Sequence, residues 1–202
     1  MSDLLQDRDY TLIIDRSGSM AEKDGGNTSR WQLAREGAVA LAAKCEEYDK
    51  DGITVYDFSN NFQRHENVTS ERVSEVFKKD PQGSTALDLV LKHAFDDYFT
   101  RKAAGKTKAN GDLIVVVTDG VPDDQKAVKR VIIEASKRME RDAELAVTFL
   151  QIGKDAQATK YLKTLDDDLE SEGAKFDIVD TKTADEAANM PYADFLIAAI
   201  TD

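Results

Sequence analysis

The sequence predicts an α/β fold: a doubly wound, mostly parallel central sheet with one antiparallel edge strand, Rossmann-like in outline. Three observations predict it. Short, continuously apolar, β-branched runs recur along the chain, as strands covered on both faces require. Longer segments of helical period stand between them, the alternation that builds βαβ units. Right-handed crossovers then place helices on both sides of the sheet. At 202 residues, 41% hydrophobic and 33% charged, the chain has the size and composition of one globular domain. Residues 8–202 are read as that domain and 1–7 as an N-terminal extension.

The first run is Tyr10-Thr11-Leu12-Ile13-Ile14, closed by Asp15. A polar loop from Arg16 to Thr28 follows. Ser29 with Gln32 then has the spacing of a capping box, and Ala34, Ala38, Leu41, Ala42 and Cys45 share one face of the helix behind it. Ile53–Phe58 reads as the second strand, Ser59-Asn60-Asn61 as a turn, and Phe62–Val68 as the antiparallel return at the edge. A short helix is expected near Ser70–Lys78, and a loop at Asp80-Pro81-Gln82-Gly83-Ser84-Thr85. Leu87, Val90, Leu91, Ala94, Phe95 and Tyr98 carry the most regular helical period in the chain. Arg101–Gly111 reads as a basic, flexible connection.

Leu113–Val117 is the strongest strand signal, and it runs into Thr118-Asp119-Gly120. Val128, Val131, Ile132, Ala135 and Met139 mark the next helix. Leu145–Ile152 is a strand, Ala158, Tyr161, Leu162, Leu165 and Leu169 stripe a helix, and Phe176–Val179 is expected as the last strand. A final helix is expected over Ala184–Ile200, with Pro191 as a kink or restart.

The formal net charge of −12 argues against nucleic acid and anionic lipid as partners, since both need a basic face. The single cysteine, Cys45, excludes an internal disulfide and points to a reducing compartment; it is expected to be buried and inert. No apolar run approaches the ~18–20 residues of a membrane helix, and the N-terminal residues lack a signal core, so a cytoplasmic location is expected.

In open α/β sheets ligands collect beyond the carboxyl ends of the strands, where strand order reverses. Three oxygen-rich loops are placed for that: Asp15-Arg16-Ser17-Gly18-Ser19, Gly83-Ser84-Thr85 and Thr118-Asp119-Gly120. Hydroxyls and carboxylates are hard donors that suit Mg²⁺ or Mn²⁺, and the absence of His and Cys from these loops speaks against zinc. Each piece also has a plainer role: Asp15 as a strand end, Ser84 or Thr85 as a helix cap, Asp119-Gly120 as a turn.

Taken together, the Asp-x-Ser-Gly-Ser run at 15–19, the distant Thr85 and the strand-end Asp119 resemble the metal-ion-dependent adhesion site of von Willebrand factor A-type domains, and the order of elements agrees from about Tyr10 onward. The resemblance implies that Ser17 and Ser19 bind the ion directly, Thr85 directly or through water, and Asp15 and Asp119 from an inner or outer position. It implies Mg²⁺, with Mn²⁺ or Ca²⁺ as alternatives, and an open position for a carboxylate supplied by a protein partner. Gly18 and Gly120 are expected to let their loops turn tightly. Arg16, a cation beside a cation site, is expected to point away or pair elsewhere.

The leading reading is therefore a metal-dependent protein-binding module without enzymatic activity. Cytoplasmic bacterial relatives suggest an adaptor to an AAA+ ATPase or a stress-system component. The alternative is a Mg²⁺-dependent phosphohydrolase or phosphotransferase with Asp15 as nucleophile, although the second acid such chemistry uses is missing, since Ser17 stands two residues on. A third reading is a metal-free scaffold. His65, His93 and Trp31 are read as structural or solvated, Lys102, Lys106 and Lys108 as a solvated basic loop, and Asp166-Asp167-Asp168 as a solvated acidic face.

Overall fold

The computed structural model describes residues 2–201; Met1 and Asp202, the outer limits of the expected extension and domain, lie outside the described residues. In chain order the elements are β1 (Asp9–Asp15), α1 (Arg30–Tyr48), β2 (Ile53–Phe58), β3 (Phe62–Val68), α2 (Ser70–Val76), α3 (Leu87–Ala103), β4 (Asp112–Thr118), α4 (Gln125–Arg138), β5 (Leu145–Gln151), α5 (Ala156–Asp167), β6 (Val179–Thr183), α6 (Ala184–Ala187) and α7 (Tyr192–Thr201). The strands form one sheet in the order β3-β2-β1-β4-β5-β6. Only the β2–β3 pairing is antiparallel.

Alternation along β1 explains why its apolar run is unbroken. Leu12 and Ile14 face a core shared with α1, α2 and α7, while Ile13 faces a second core shared with α3, α4 and α5. In β4, Leu113, Val115 and Val117 face the first core and Ile114 and Val116 the second. A strand with helices on both faces has no polar side, so its sequence loses the usual alternation. Ser29 caps α1 through the expected reciprocal bonds with Gln32.

Three expectations need correction. The stretch Arg101–Gly111 is not simply a flexible basic connection. Helix α3 continues to Ala103, Arg101 pairs with Asp9, Asp97 and Asp112, Lys102 with Glu144, and Lys108 with Asp9 and Asp49. The acidic residues at the amino ends of the strands draw these cations in. The last strand occupies Val179–Thr183 rather than Phe176–Val179. Its ladder bonds run through polar residues, and Asp166 accepts from the Thr181 amide and hydroxyl at 3.0 and 2.6 Å, so Asp166 is bound rather than solvated. Pro191 restarts the terminal helix, one of the two outcomes expected of it: α6 ends at Ala187 and α7 begins at Tyr192, with the Pro191 carbonyl accepting from Asp194 and Phe195.

Before β1, Leu5 is fully buried in the first core, and Arg8 donates to the Leu4, Asp112 and Ala143 carbonyls. No helix of the described residues is long and apolar enough to cross a membrane. Strand order reverses between β1 and β4: the chain leaves β1 toward β2 and β3, then crosses over it to β4. The carboxyl ends of these two strands, Asp15 and Thr118, are neighbours, and the crevice beyond them is where such a sheet gathers ligands.

Candidate metal centre

Asp15 ends β1 with no solvent exposure. Its Oδ1 accepts from the Ser17 amide at 2.7 Å and its Oδ2 from the Thr118 hydroxyl at 2.6 Å. The first bond folds the chain back just past the strand; the second ties β1 to β4. Burial pushes the Asp15 carboxyl up to about 6, against the pull of Thr118 and Ser17 and with help from the nearby Asp119.

The turn made by Asp15 presents both serines. Ser17 is 2% exposed, precedes a single 3₁₀ turn over Gly18–Ala21, and makes no capping bond with its side chain. Its Oγ lies 3.1 Å from Ser19 Oγ, and the Ser19 hydroxyl donates to Asp119 Oδ1 at 2.9 Å. Three oxygens from two distant parts of the chain thus form one contiguous line. Asp119, one residue beyond β4, is 1% exposed, and burial raises its carboxyl against the opposing pull of Arg30 and Ser19.

The loop that carries Thr85 is tied to the first loop through the backbone. The Gly18 amide donates to the Gly83 carbonyl at 3.0 Å and the Gln82 amide to the Arg16 carbonyl at 2.8 Å. The Thr85 amide donates to both oxygens of Asp123 at 3.1 Å, and its carbonyl accepts from the Asp123 amide at 3.0 Å. The N-cap of α3 falls on Ala86, so Thr85 is not spent on capping. The structure therefore joins Ser17, Ser19 and Asp119 by direct side-chain contact and Asp15 through the Ser17 amide and Thr118, while Thr85 itself bonds to Asp123 and only its loop neighbours Gln82 and Gly83 bond to the first loop.

The glycine expectations are corrected. Neither Gly18 nor Gly120 has a positive φ, and a Cβ would meet only ordinary contact at Gly18 and open space at Gly120. The position that needs glycine is Gly83, with φ +87° and a would-be Cβ 2.0 Å from Asn60 Oδ1. It sits where the second loop turns to meet the first.

Arg16 points away, as expected: its Nε donates to Asp57 at 3.1 Å and its Nη1 to the Asp80 carbonyl at 3.3 Å. The cation that does enter the site is Arg30, first residue of α1, whose Nη1 donates to Asp119 Oδ2 at 2.9 Å. Sequence reasoning misses it. The available signal is a local conflict, since an arginine in the first turn of a helix opposes the macrodipole and needs compensation. Glu22 and Asp24 supply part of it.

The remaining residues serve structure. Trp31 is buried against Phe77, His93 Nδ1 lies 3.1 Å from the Tyr56 hydroxyl, and His65 pairs with Asp57. Cys45 is buried, which drives its thiol well above the ordinary range and leaves it inert.

Among the described residues no group of three or more His, Cys, Asp or Glu side chains is placed to hold a metal ion. The candidate donor set instead combines two carboxylates with three hydroxyls. An octahedral ion with bonds of ~2.0–2.1 Å sets neighbouring donors about 3 Å apart. The Ser17–Ser19 and Ser19–Asp119 separations of 3.1 and 2.9 Å fit that edge length.

The sequence profile of the von Willebrand factor type A domain matches residues 10–121, which takes in all three loops. No curated protein sequence matches the chain. Among solved structures, the manganese-loaded TRAP protein of Plasmodium vivax superposes with a TM-score of 0.59 at 15% identity, covering 93% of this chain and 74% of that one. The pilus adhesin SpaC of Lactobacillus rhamnosus GG gives 0.61 at 15% identity, covering 98% of this chain but 30% of the adhesin. The VWA domain of SpRpn10 gives 0.54 at 14% identity, covering 92% and 96%. At these identities the likeness is one of fold.

Proposed function

Because the chain belongs to the von Willebrand factor type A domain family, whose members are generally metal-dependent protein-interaction modules, we propose that it captures a partner protein through one Mg²⁺ ion held by Ser17, Ser19, Thr85, Asp15 and Asp119. The carrying observation is the convergence of the Ser17, Ser19 and Asp119 oxygens, from two distant loops, at hydrogen-bond separations that an octahedral ion could also span. When bound, the ion supplies Lewis acidity that attracts an incoming carboxylate, since neutral hydroxyls leave its charge largely unquenched. The manganese carried by the TRAP protein supports a divalent ion on this fold.

The chain's own residues do the rest. Asp15 braces the first loop, Asp119 orients Ser19, and the main-chain bonds of Gly18 and Gln82 hold the second loop against the first. The proposal takes residues 8–202 as one domain acting as a cytoplasmic, non-enzymatic adaptor, toward an AAA+ ATPase or a stress-system component. The hydrolase alternative is disfavoured by the absence of a second acid two residues beyond Asp15, its nucleophile, where Ser17 stands.

Titrating Mg²⁺ and Mn²⁺ calorimetrically, with melting temperature followed alongside, tests the reading. Saturable binding and a raised melting point are expected in the wild type, and both are lost in Ser17→Ala/Ser19→Ala. Flat heats and an unchanged melting point across millimolar metal would leave the metal-free scaffold standing.

A further inference from the structure

We infer that Arg30 determines which divalent cation the centre accepts, by withholding one oxygen of Asp119; this rests on the metal reading above. Arg30 Nη1 holds Asp119 Oδ2 at 2.9 Å, which leaves Oδ1 as the oxygen turned to Ser19. The guanidinium is held on its other edge as well. Its Nε and Nη2 grip both oxygens of Asp24 at 2.8 and 2.6 Å, the planar two-bond fork that arginine favours, and Glu22 lies 3.2 Å from Nη1.

A second observation is that the pair fills space that a side chain at a neighbouring position would need. Gly153 follows β5 with φ +81°, and a Cβ there would stand 2.7 Å from Arg30 Nε and 2.8 Å from Asp24 Oδ2. The chain leaves out a side chain at this point, and the ion pair occupies the space. Arg30 is thus packed against Gly153, clamped by Asp24, and aimed at Asp119.

The consequence is one of coordination number. Ca²⁺ takes six to eight oxygens and often engages a carboxylate through both of them, whereas Mg²⁺ takes six in a rigid octahedron. Asp119 has one oxygen bonded to Arg30, and Asp15 has one bond on each oxygen, to the Ser17 amide and the Thr118 hydroxyl. Chelation through both oxygens of either carboxylate has to compete with these bonds for the remaining lone pairs. The arrangement disfavours the larger ion without any contact between Arg30 and the cation.

The test is the ratio of Mg²⁺ to Ca²⁺ affinity, measured calorimetrically on the full chain. The charge of Arg30 acts almost alike on two dications, so the ratio isolates geometry from electrostatics. Wild type is expected to favour Mg²⁺, and Arg30→Met to move the ratio toward Ca²⁺ by about tenfold or more. Asp24→Asn, which loosens the grip on Arg30, is expected to move it the same way by less, and it decides the matter alone if Arg30→Met does not fold. An unchanged ratio in the folded variants, including an equal loss of affinity for both ions, overturns the inference and assigns Arg30 a purely structural role. If wild type binds neither ion, the inference falls together with the metal reading.

Discussion

At Asp15 the site holds a carboxylate where burial opposes its charge and no cation touches it. Its folded value is pushed up to about 6 from an ordinary 3.8. A carboxyl raised on folding favours the native state at low pH, and that contribution is lost as pH rises from about 4 through about 6. In metal-free protein at pH 7 the buried charge costs about 2–3 kcal/mol. Asp15→Asn, close to it in shape and able to keep a bond to the Ser17 amide, should therefore melt above wild type in chelator at pH 7. The gap should close by pH 4, and a gap independent of pH between 4 and 7 would contradict the account. The candidate donors Asp15, Ser17, Ser19, Thr85 and Asp119 can be picked out from the sequence because each stands near the end of an element and together they resemble the family's adhesion site. Arg30 and Gly153 cannot, because their roles exist only once α1 and the tail of β5 lie side by side.

Among the elements, α1 matters most to the site, since its first residue reaches Asp119. The Ser29 cap satisfies the Gln32 amide at 3.2 Å, and Gln32 returns a bond to the Ser29 amide at 2.9 Å. Ser29→Ala should cost about 1 kcal/mol of global stability, read by urea denaturation, and should move the Mg²⁺-to-Ca²⁺ affinity ratio toward Ca²⁺ as well, because fraying at Ser29 loosens Arg30. A stability loss with an unchanged ratio would uncouple cap from site. Most elements are legible from sequence, since apolar runs such as Leu113–Val117, bounded by turn residues, match a doubly covered strand. Strand β6 is not, because it lies at the sheet edge, where Thr181, Lys182 and Thr183 need no apolar character. The full length of α3 is hidden too, because Arg101 and Lys102 resemble a solvated linker until their acidic partners are seen.

On the scale of the whole molecule, stability comes from two cores back to back on one sheet. Helix α7 closes the first of them with Phe195, Leu196 and Ala199. Leu196, fully buried, should cost about 2–5 kcal/mol on truncation to alanine, measured by chemical denaturation. A loss under 1 kcal/mol would mean that α7 is a loose appendage. The loops of the candidate centre are held by a different means. Arg16, Gly18, Gln82 and Gly83 are joined amide to carbonyl, so the link between the two loops does not depend on the side chains that exposed Gln82 and its exposed neighbours display. Exposed Gln82 and half-exposed Ser84 are thereby released from architectural duty. Substitution could rewrite the rim that a proposed partner would meet while the proposed cation's seat stays as it is, leaving the same scaffold free to diversify its clientele by surface change alone.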